Sequence, residues 1–354
     1  MKPELQAGTG AGIEFPWNLG LPVGNVAAID CGTNSIRLLI GRRSAAGCDN
    51  VDTTVPVVEG QAAAEWEEAI RLMRIVRLGE GVDRTGELAP AAIARTLASA
   101  RDYAQICRDH QVTRLRFVAT SASRDARNRQ DFITQIRAAI GVDPEVVVGE
   151  EEARLSFLGS TAHLRDLEWP VLVIDIGGGS TEFVYATSPD QLRAISTNMG
   201  SVRVHEKFPR FAMGPDSPDA AARAWITSVL DTANDTVPWD KVATLVAVAG
   251  TVTTVEALAL GVDEYDSERL HGSRSDTRRV QATCAQMMTM PVAERAKLGF
   301  MPAGREDVIG AGAAIYRQIA ARLEQAQGRP VPVVVSEYDI LDGIALSLLD
   351  EPAS

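Results

Sequence analysis

Val171–Tyr185 reads VLVIDIGGGSTEFVY: an apolar run ending on Asp175, a turn of three glycines with Ser180 and Thr181, and a second run from Glu182. Two apolar runs joined by a tight polar turn predict a β-hairpin. A plain hairpin needs only about two turn residues, and consecutive glycines cost backbone entropy. Gly177, Gly178 and Gly179 make physical sense where backbone amides wrap a phosphate, with the Ser180 and Thr181 hydroxyls as further donors. The pattern also stands 145 positions earlier, where VAAID (26–30) leads through Cys31-Gly32-Thr33-Asn34-Ser35 into IRLLIG (36–41). That spacing exceeds solenoid periods and predicts duplicated domains.

Working outward, Ile70–Leu78 offers a third strand that Gly79-Glu80-Gly81 closes, and residues 44–64 read as a loop. Leu88–His110 has helical spacing at Ile93, Leu97, Ala100, Ala104 and Ile106. Leu115–Ala119 is a buried strand, and the hydroxyls of Thr120–Ser123 are placed to cap a helix near Arg124. Val146–Val148 is a short strand, followed by a helix from Glu150 to about His163. After the second hairpin come strand Leu245–Ala249, a helix over Val255–Leu260, helices near 278–289 and 306–325, and strand Val333–Val335. The class is α/β. The expected layout is a flexible extension over 1–24, a first domain over 25–165 and a second over 166–354. A last helix near 340–350 is a candidate to pack back on the first domain.

Composition narrows the function. The 354 residues are 45% hydrophobic and 23% charged, which excludes a disordered or collagen-like chain. A net charge of −12 argues against a protein that coats nucleic acid. Arginine supplies 31 of the 35 basic residues, and its planar fork suits phosphate oxygens. Arg114, Arg116, Arg124, Arg127 and Arg129 cluster, as do Arg269, Arg274, Arg278 and Arg279; each cluster reads as a polyanion track or as a solvated face. Cys31, Cys48, Cys107 and Cys284 form no CxxC pair, so a reduced, cytoplasmic protein is expected. No apolar run is long enough to span a bilayer, and no membrane partner is expected.

The chemistry-bearing residues fall in four places. Asp30 and Asp175 end the first strands of their hairpins and are candidates to hold hydrated Mg²⁺, or Mn²⁺, with Glu182 close behind the second. Gly32, Thr33, Asn34 and Ser35 offer phosphate donors on the first turn, although ordinary turn chemistry explains the same residue types. Gly250-Thr251, between a strand and a helix, is a third candidate anion contact or a simple connecting turn. Glu150-Glu151-Glu152 offers a carboxylate to activate water, or a solvated first turn that suits the helix dipole. Neither turn is a Walker A loop, which requires GxxxxGK[ST].

Taken together, these blocks resemble the exopolyphosphatase/guanosine pentaphosphate phosphatase family. They are VAAIDCGTNSIRLLIG (26–41), ATSASRDARN (119–128), GEEEAR (149–154), VIDIGGGSTEF (173–183), Ala249-Gly250-Thr251 and EDVIGA (306–311), in family order. The resemblance implies two related actin-like, ribonuclease H-like domains with the active site in the cleft between them. It implies Mg²⁺-dependent release of terminal phosphate from inorganic polyphosphate, by a homodimer. By the same resemblance Glu152 matches the water-activating base, Glu182 a second catalytic carboxylate and Arg124 a phosphate-contacting arginine. Asp30, Asp175 and the donors of both turns would face metal and phosphate. Longer members carry further C-terminal helical domains, and the position of Glu150 is Asn in some members. Guanosine pentaphosphate is the alternative substrate, and an actin-like ATP-binding kinase or conformational module is the alternative class.

Overall fold

The computed structural model describes residues 17, 24–43, 66–208 and 220–350. The first sheet contains β1 (Asn25–Cys31), β2 (Ser35–Arg43), β3 (Trp66–Ile75), β4 (Val112–Ala119) and β5 (Glu145–Val146), in the order β3-β2-β1-β4-β5. The first three strands form an antiparallel meander, and β4 and β5 run parallel to β1. Its connections carry α1 (Val82–Thr85), α2 (Pro90–Asp109), α3 (Ser121–Asp125), α4 (Arg129–Ile140) and α5 (Gly149–Ala162).

The second sheet contains β6 (Val171–Ile176), β7 (Thr181–Ser188), β8 (Gln191–Thr197), β9 (Thr244–Val248), β10 (Arg274–Asp276) and β11 (Pro332–Val335). Their order is β10-β11-β9-β6-β7-β8. Its helices are α6 (Ser201–Lys207), α7 (Ala220–Asp231), α8 (Ala249–Leu260), α9 (Ser267–Leu270), α10 (Thr277–Thr289), α11 (Val292–Arg295), α12 (Ile309–Gln327) and α13 (Ile340–Asp350). Without the edge strand β10, the second sheet repeats the first: a three-stranded meander with two parallel strands beside its opening strand. This repeated plan is the actin-like pairing of two ribonuclease H-like units.

A strand buried on both faces needs a layer on each side, and β1 is buried from Val26 to Cys31. Ala27, Ile29 and Cys31 face a core with Ile93, Leu97 and Tyr103 of α2 and Phe132 of α4. Ala28 faces the other way, into a cluster with Leu155 of α5 and Ile340, Leu341, Ile344 and Ala345. The last described helix, α13, thus returns to cover the first sheet. Its backbone touches α5 at two glycines: a Cβ on Gly159 would lie 1.8 Å from the Asp339 carbonyl oxygen, and one on Gly343 1.9 Å from that of Leu155.

Two local expectations shift. β3 ends at Ile75 rather than Leu78, because Val76 and Arg77 leave the sheet and donate their N–H groups to the Asn34 carbonyl, at 3.0 and 2.8 Å. The hydroxyls at 120–123 do not cap a helix; α3 begins among them without a side-chain cap, and Ser121 Oγ instead shares a 2.9 Å hydrogen bond with Thr33 Oγ1. The loop expected over 44–64 lies outside the described residues. So does most of the 1–24 extension, although Trp17 is buried in the first core. Among the described residues no helix is long and apolar enough to cross a membrane.

Candidate active site

The two hairpins present their turns to one another across a cavity of about 500 Å³. Each turn is closed in the same way: Gly32 N–H donates to Ser35 O at 2.9 Å, and Gly177 N–H to Ser180 O at 3.1 Å. The carbonyls of both turns are bonded from behind, by residues 76–79 in the first and 201–203 in the second. The amides of Thr33, Asn34, Gly178 and Gly179 have no protein acceptor among the described residues, the arrangement that makes an anion-binding nest. Close approach also explains the glycines. A Cβ on Gly178 would lie 3.1 Å from Thr33 Cβ, and one on Gly179 2.5 Å from both Thr33 Oγ1 and Ser121 Oγ. The second turn is bare because the first turn's side chains press against it.

Register decides which side chains flank each turn. Residues directly opposite on antiparallel strands share a face. Asp30 is opposite Arg37, and Asp175 is opposite Glu182. Arg37 grips Asp30 Oδ2 through Nε at 2.9 Å and Nη2 at 2.6 Å, and reaches Asp339, just before α13, through Nη1. Asp30 Oδ1 is buried with no hydrogen-bond partner among the described residues. Burial raises the Asp30 carboxyl above its ordinary value against the pull of Arg37.

The second hairpin carries the opposite charge arrangement. Burial raises Asp175 to about 7, with Asp339 adding to the effect, while Ser156 Oγ donates to Asp175 Oδ2 at 2.7 Å and opposes it. Glu182 is pushed well above the usual carboxylate range by burial and then by the charges of Glu152 and Asp175. Ser196 Oγ donates to Glu182 Oε1 at 2.7 Å.

Glu152 lies in the first turn of α5, where backbone geometry sends only one of the three adjacent glutamates inward. It is buried, whereas Glu151 is half-buried and pairs outward with Arg154 at 2.8 Å, and Glu150 is exposed. Arg124 Nη1 donates to Glu152 Oε2 at 3.0 Å and to the Val147 carbonyl at 3.1 Å. Burial raises Glu152 to about 7, opposed by Arg124.

Asp30, Gly32, Thr33, Asn34, Ser35, Glu152, Asp175, Gly177, Gly178, Ser180, Glu182, Gly250 and Thr251 all line the cavity. Gly179, Thr181 and Arg124 do not. The Thr181 hydroxyl is committed to the Met199 carbonyl, Gly179 faces Thr33 and Ser121, and Arg124 stands behind Glu152. Among the described residues no three His, Cys, Asp or Glu side chains gather to cage a metal, so Asp30, Asp175 and Glu182 are not a closed metal site. The unpartnered Asp30 Oδ1 does fit a hydrated hard cation, which typically binds one or two carboxylates and completes its shell with water and substrate oxygens.

Sequence reasoning missed Arg37, Asp339 and Arg305. Arg37 had a signal, because it follows Asp30 by the seven positions that separate Glu182 from Asp175. Asp339 arrives from 302 positions beyond Arg37 and had none. Arg305 also lines the cavity, donating to the Gly250 carbonyl at 3.2 Å, and has no carboxylate in ion-pair range among the described residues. Away from the cavity the basic clusters are largely spoken for: Arg116 pairs with Glu145, Arg127 with Glu87 and Arg278 with Glu324.

Comparison with known proteins identifies relatives of the chain. The family model described as "Ppx/GppA phosphatase family" matches residues 57–349. A Mycobacterium tuberculosis protein named Exopolyphosphatase 2 is 41% identical over 332 residues, 91% of this chain and 98% of that protein. The crystal structure of an exopolyphosphatase-like protein superposes with a TM-score of 0.81 at 38% identity, covering 92% of this chain and 98% of the other. That of an Aquifex aeolicus Ppx/GppA family member gives 0.71 at 26% identity, covering 93% and 98%. With the family model spanning most of the sequence and these relatives matching nearly end to end, the chain belongs to the Ppx/GppA phosphatase family.

Proposed function

We propose that this protein is an exopolyphosphatase that hydrolyses the terminal phosphoanhydride of inorganic polyphosphate. One observation carries the reading: two amide-lined turns face each other across a cavity whose wall holds Glu152, buried and oriented by Arg124. The name of the M. tuberculosis relative supports the same substrate class.

In this reading the free amides of both turns and the Ser35 and Ser180 side chains hold the terminal phosphate. Arg305 adds positive charge farther along the cavity. Glu152 accepts a proton from a water as its oxygen attacks the terminal phosphorus in line. The bridging P–O bond breaks, the electron pair leaves with the shortened chain, and orthophosphate is released. A base with its pKa near 7 suits that task at neutral pH. Glu182, whose proton affinity burial and the neighbouring carboxylates raise, lies beside Asp175 as a second carboxyl group of the site. A bound Mg²⁺ or Mn²⁺, held through Asp30 and Asp175 with Glu182 behind, would neutralise charge on the phosphate oxygens.

A specific feature favours guanosine pentaphosphate as the second reading. The cavity lining also includes Leu72, Met73, Phe300 and Met301 with Tyr265, side chains that would suit a nucleoside. Phosphate release with Mg²⁺ from tripolyphosphate, long polyphosphate, guanosine pentaphosphate and ATP separates the two. Polyphosphate cleavage that Glu152→Gln lowers in kcat by roughly 10²–10⁴-fold is the expected result. Turnover of guanosine pentaphosphate or ATP with polyphosphate inert overturns the substrate, and full activity in the variant overturns the base.

A further inference from the structure

The reading above uses the faces of the two turns but leaves their backs unexplained. Behind the first turn runs VRLGEGVD, residues 76–83. Val76 and Arg77 donate to Asn34 O, and Gly79 N–H donates to Thr33 O at 2.8 Å. Behind the second turn lies the start of α6. Ser201 N–H donates to Gly177 O at 2.9 Å, and the Val202 and Arg203 N–H groups donate to Gly178 O at 2.9 and 3.2 Å. Arg203 then adds its side chain, with Nε donating to Gly179 O at 2.9 Å.

These two supports are joined to each other. Arg203 Nη1 pairs with Asp83 Oδ1 at 2.6 Å, and Glu206 Oε1 accepts from Gly81 N–H at 3.0 Å. Arg203 Nη2 also pairs with Asp125 at 2.7 Å, next to the Arg124 that orients Glu152. One planar guanidinium therefore bonds the second turn, the support of the first turn and α3, with its side chain only 17% exposed.

We infer that Arg203 and Glu206 staple the two supports into one bracket, which fixes the spacing of the two phosphate turns. Arg203 is a positioning residue that acts on bound phosphate only through the turns. The inference rests on the reading of those turns as the phosphate site. Because in-line attack needs the phosphorus and the base in register, an error near 1 Å costs about 10²-fold in rate.

The test is hydrogen exchange on the full chain without ligand, followed by kinetics on tripolyphosphate with Mg²⁺. Exchange is read at residues 76–79 and 201–203, whose amides bond the turn carbonyls. Arg203→Met is expected to speed exchange at both segments, although Arg203 makes no direct bond to 76–79. It should lower kcat by roughly 10–100-fold while moving KM by less than about threefold. Arg203→Lys recovers part of the rate, and Asp83→Asn, which keeps the Gly179 bond, loosens both segments by less. Faster exchange confined to 201–203 means a merely local role and overturns the bracket, as does unchanged exchange. A kcat within about twofold of wild type despite loosened turns overturns the positioning role. If the wild type releases no phosphate from either tripolyphosphate or long polyphosphate, the functional reading fails while exchange still decides the bracket.

Discussion

The two hairpins share a frame and differ in what faces their aspartates. In both, the aspartate is the penultimate residue of the first strand, a glycine two positions on closes the turn, and the opposing side chain comes seven positions later. In the first hairpin that side chain is Arg37, and in the second it is Glu182. One unit neutralises its aspartate internally and becomes a grip. The other sets two buried carboxylates side by side, where burial raises the proton affinity of both and the Asp175 charge adds to that of Glu182. Duplication supplied the geometry, and one position per copy divided the labour.

The sharpest way to break this contrast is to remove the cation. Arg37→Met leaves Asp30 and Asp339 buried without their shared partner. Breaking a buried ion pair typically costs about 3–5 kcal/mol, to be read as a lowered denaturant midpoint. Adding Asp30→Asn should recover part of the loss, because it removes one of the stranded charges. Equal stability of Arg37→Met and wild type would show that the pairing does not hold the first unit together.

A smaller effect separates the turns themselves. Gly179→Ala puts a methyl 2.5 Å from Thr33 Oγ1 and Ser121 Oγ, and overpacking of that kind costs about 1–3 kcal/mol. At Gly32 the nearest atom to an added Cβ is 3.6 Å away, an ordinary contact, so Gly32→Ala should lie within about 0.5 kcal/mol of wild type. Comparable losses at the two positions would mean that turn-to-turn contact does not explain the glycines.

The smallest expected effect is a slope. Asp175 and Glu182 hold their protons to higher pH in the folded chain than in the unfolded one. Between the ordinary carboxylate values and about 7 the folded state therefore binds more protons, and raising the pH disfavours it. In metal-free buffer the melting temperature should fall as pH rises through this window. Glu182→Gln should flatten that fall, since an amide needs no proton to stay neutral. An unchanged slope in the variant would place the acid pair's titration elsewhere.

Much of this was legible in the sequence because its signals are local. The two strand–Asp–turn–strand copies and the apolar rhythm of α2 follow from short-range spacing, whereas Glu152 was singled out of the glutamate run by the family resemblance alone. What escaped depends on contacts distant in sequence. The end of β3 was misplaced because Val76–Leu78 look like strand but serve the back of a turn. The glycines were read as room for phosphate, whereas Gly178 and Gly179 are also dictated by Thr33 on the opposite unit. The hydrogen bond from Arg124 to Glu152 joins residues 28 positions apart and had no signal in the sequence.

The return of α13 bears on how the chain is made. Ala28, Leu39 and Val118 of the first sheet share their core with Ile340, Leu341 and Ile344. A ribosome would have delivered both sheets before that core could close, so one face of the first sheet waits, half-dressed, for α13. Folding domain by domain as the chain emerges therefore leaves that apolar face of the first unit uncovered until α13 arrives.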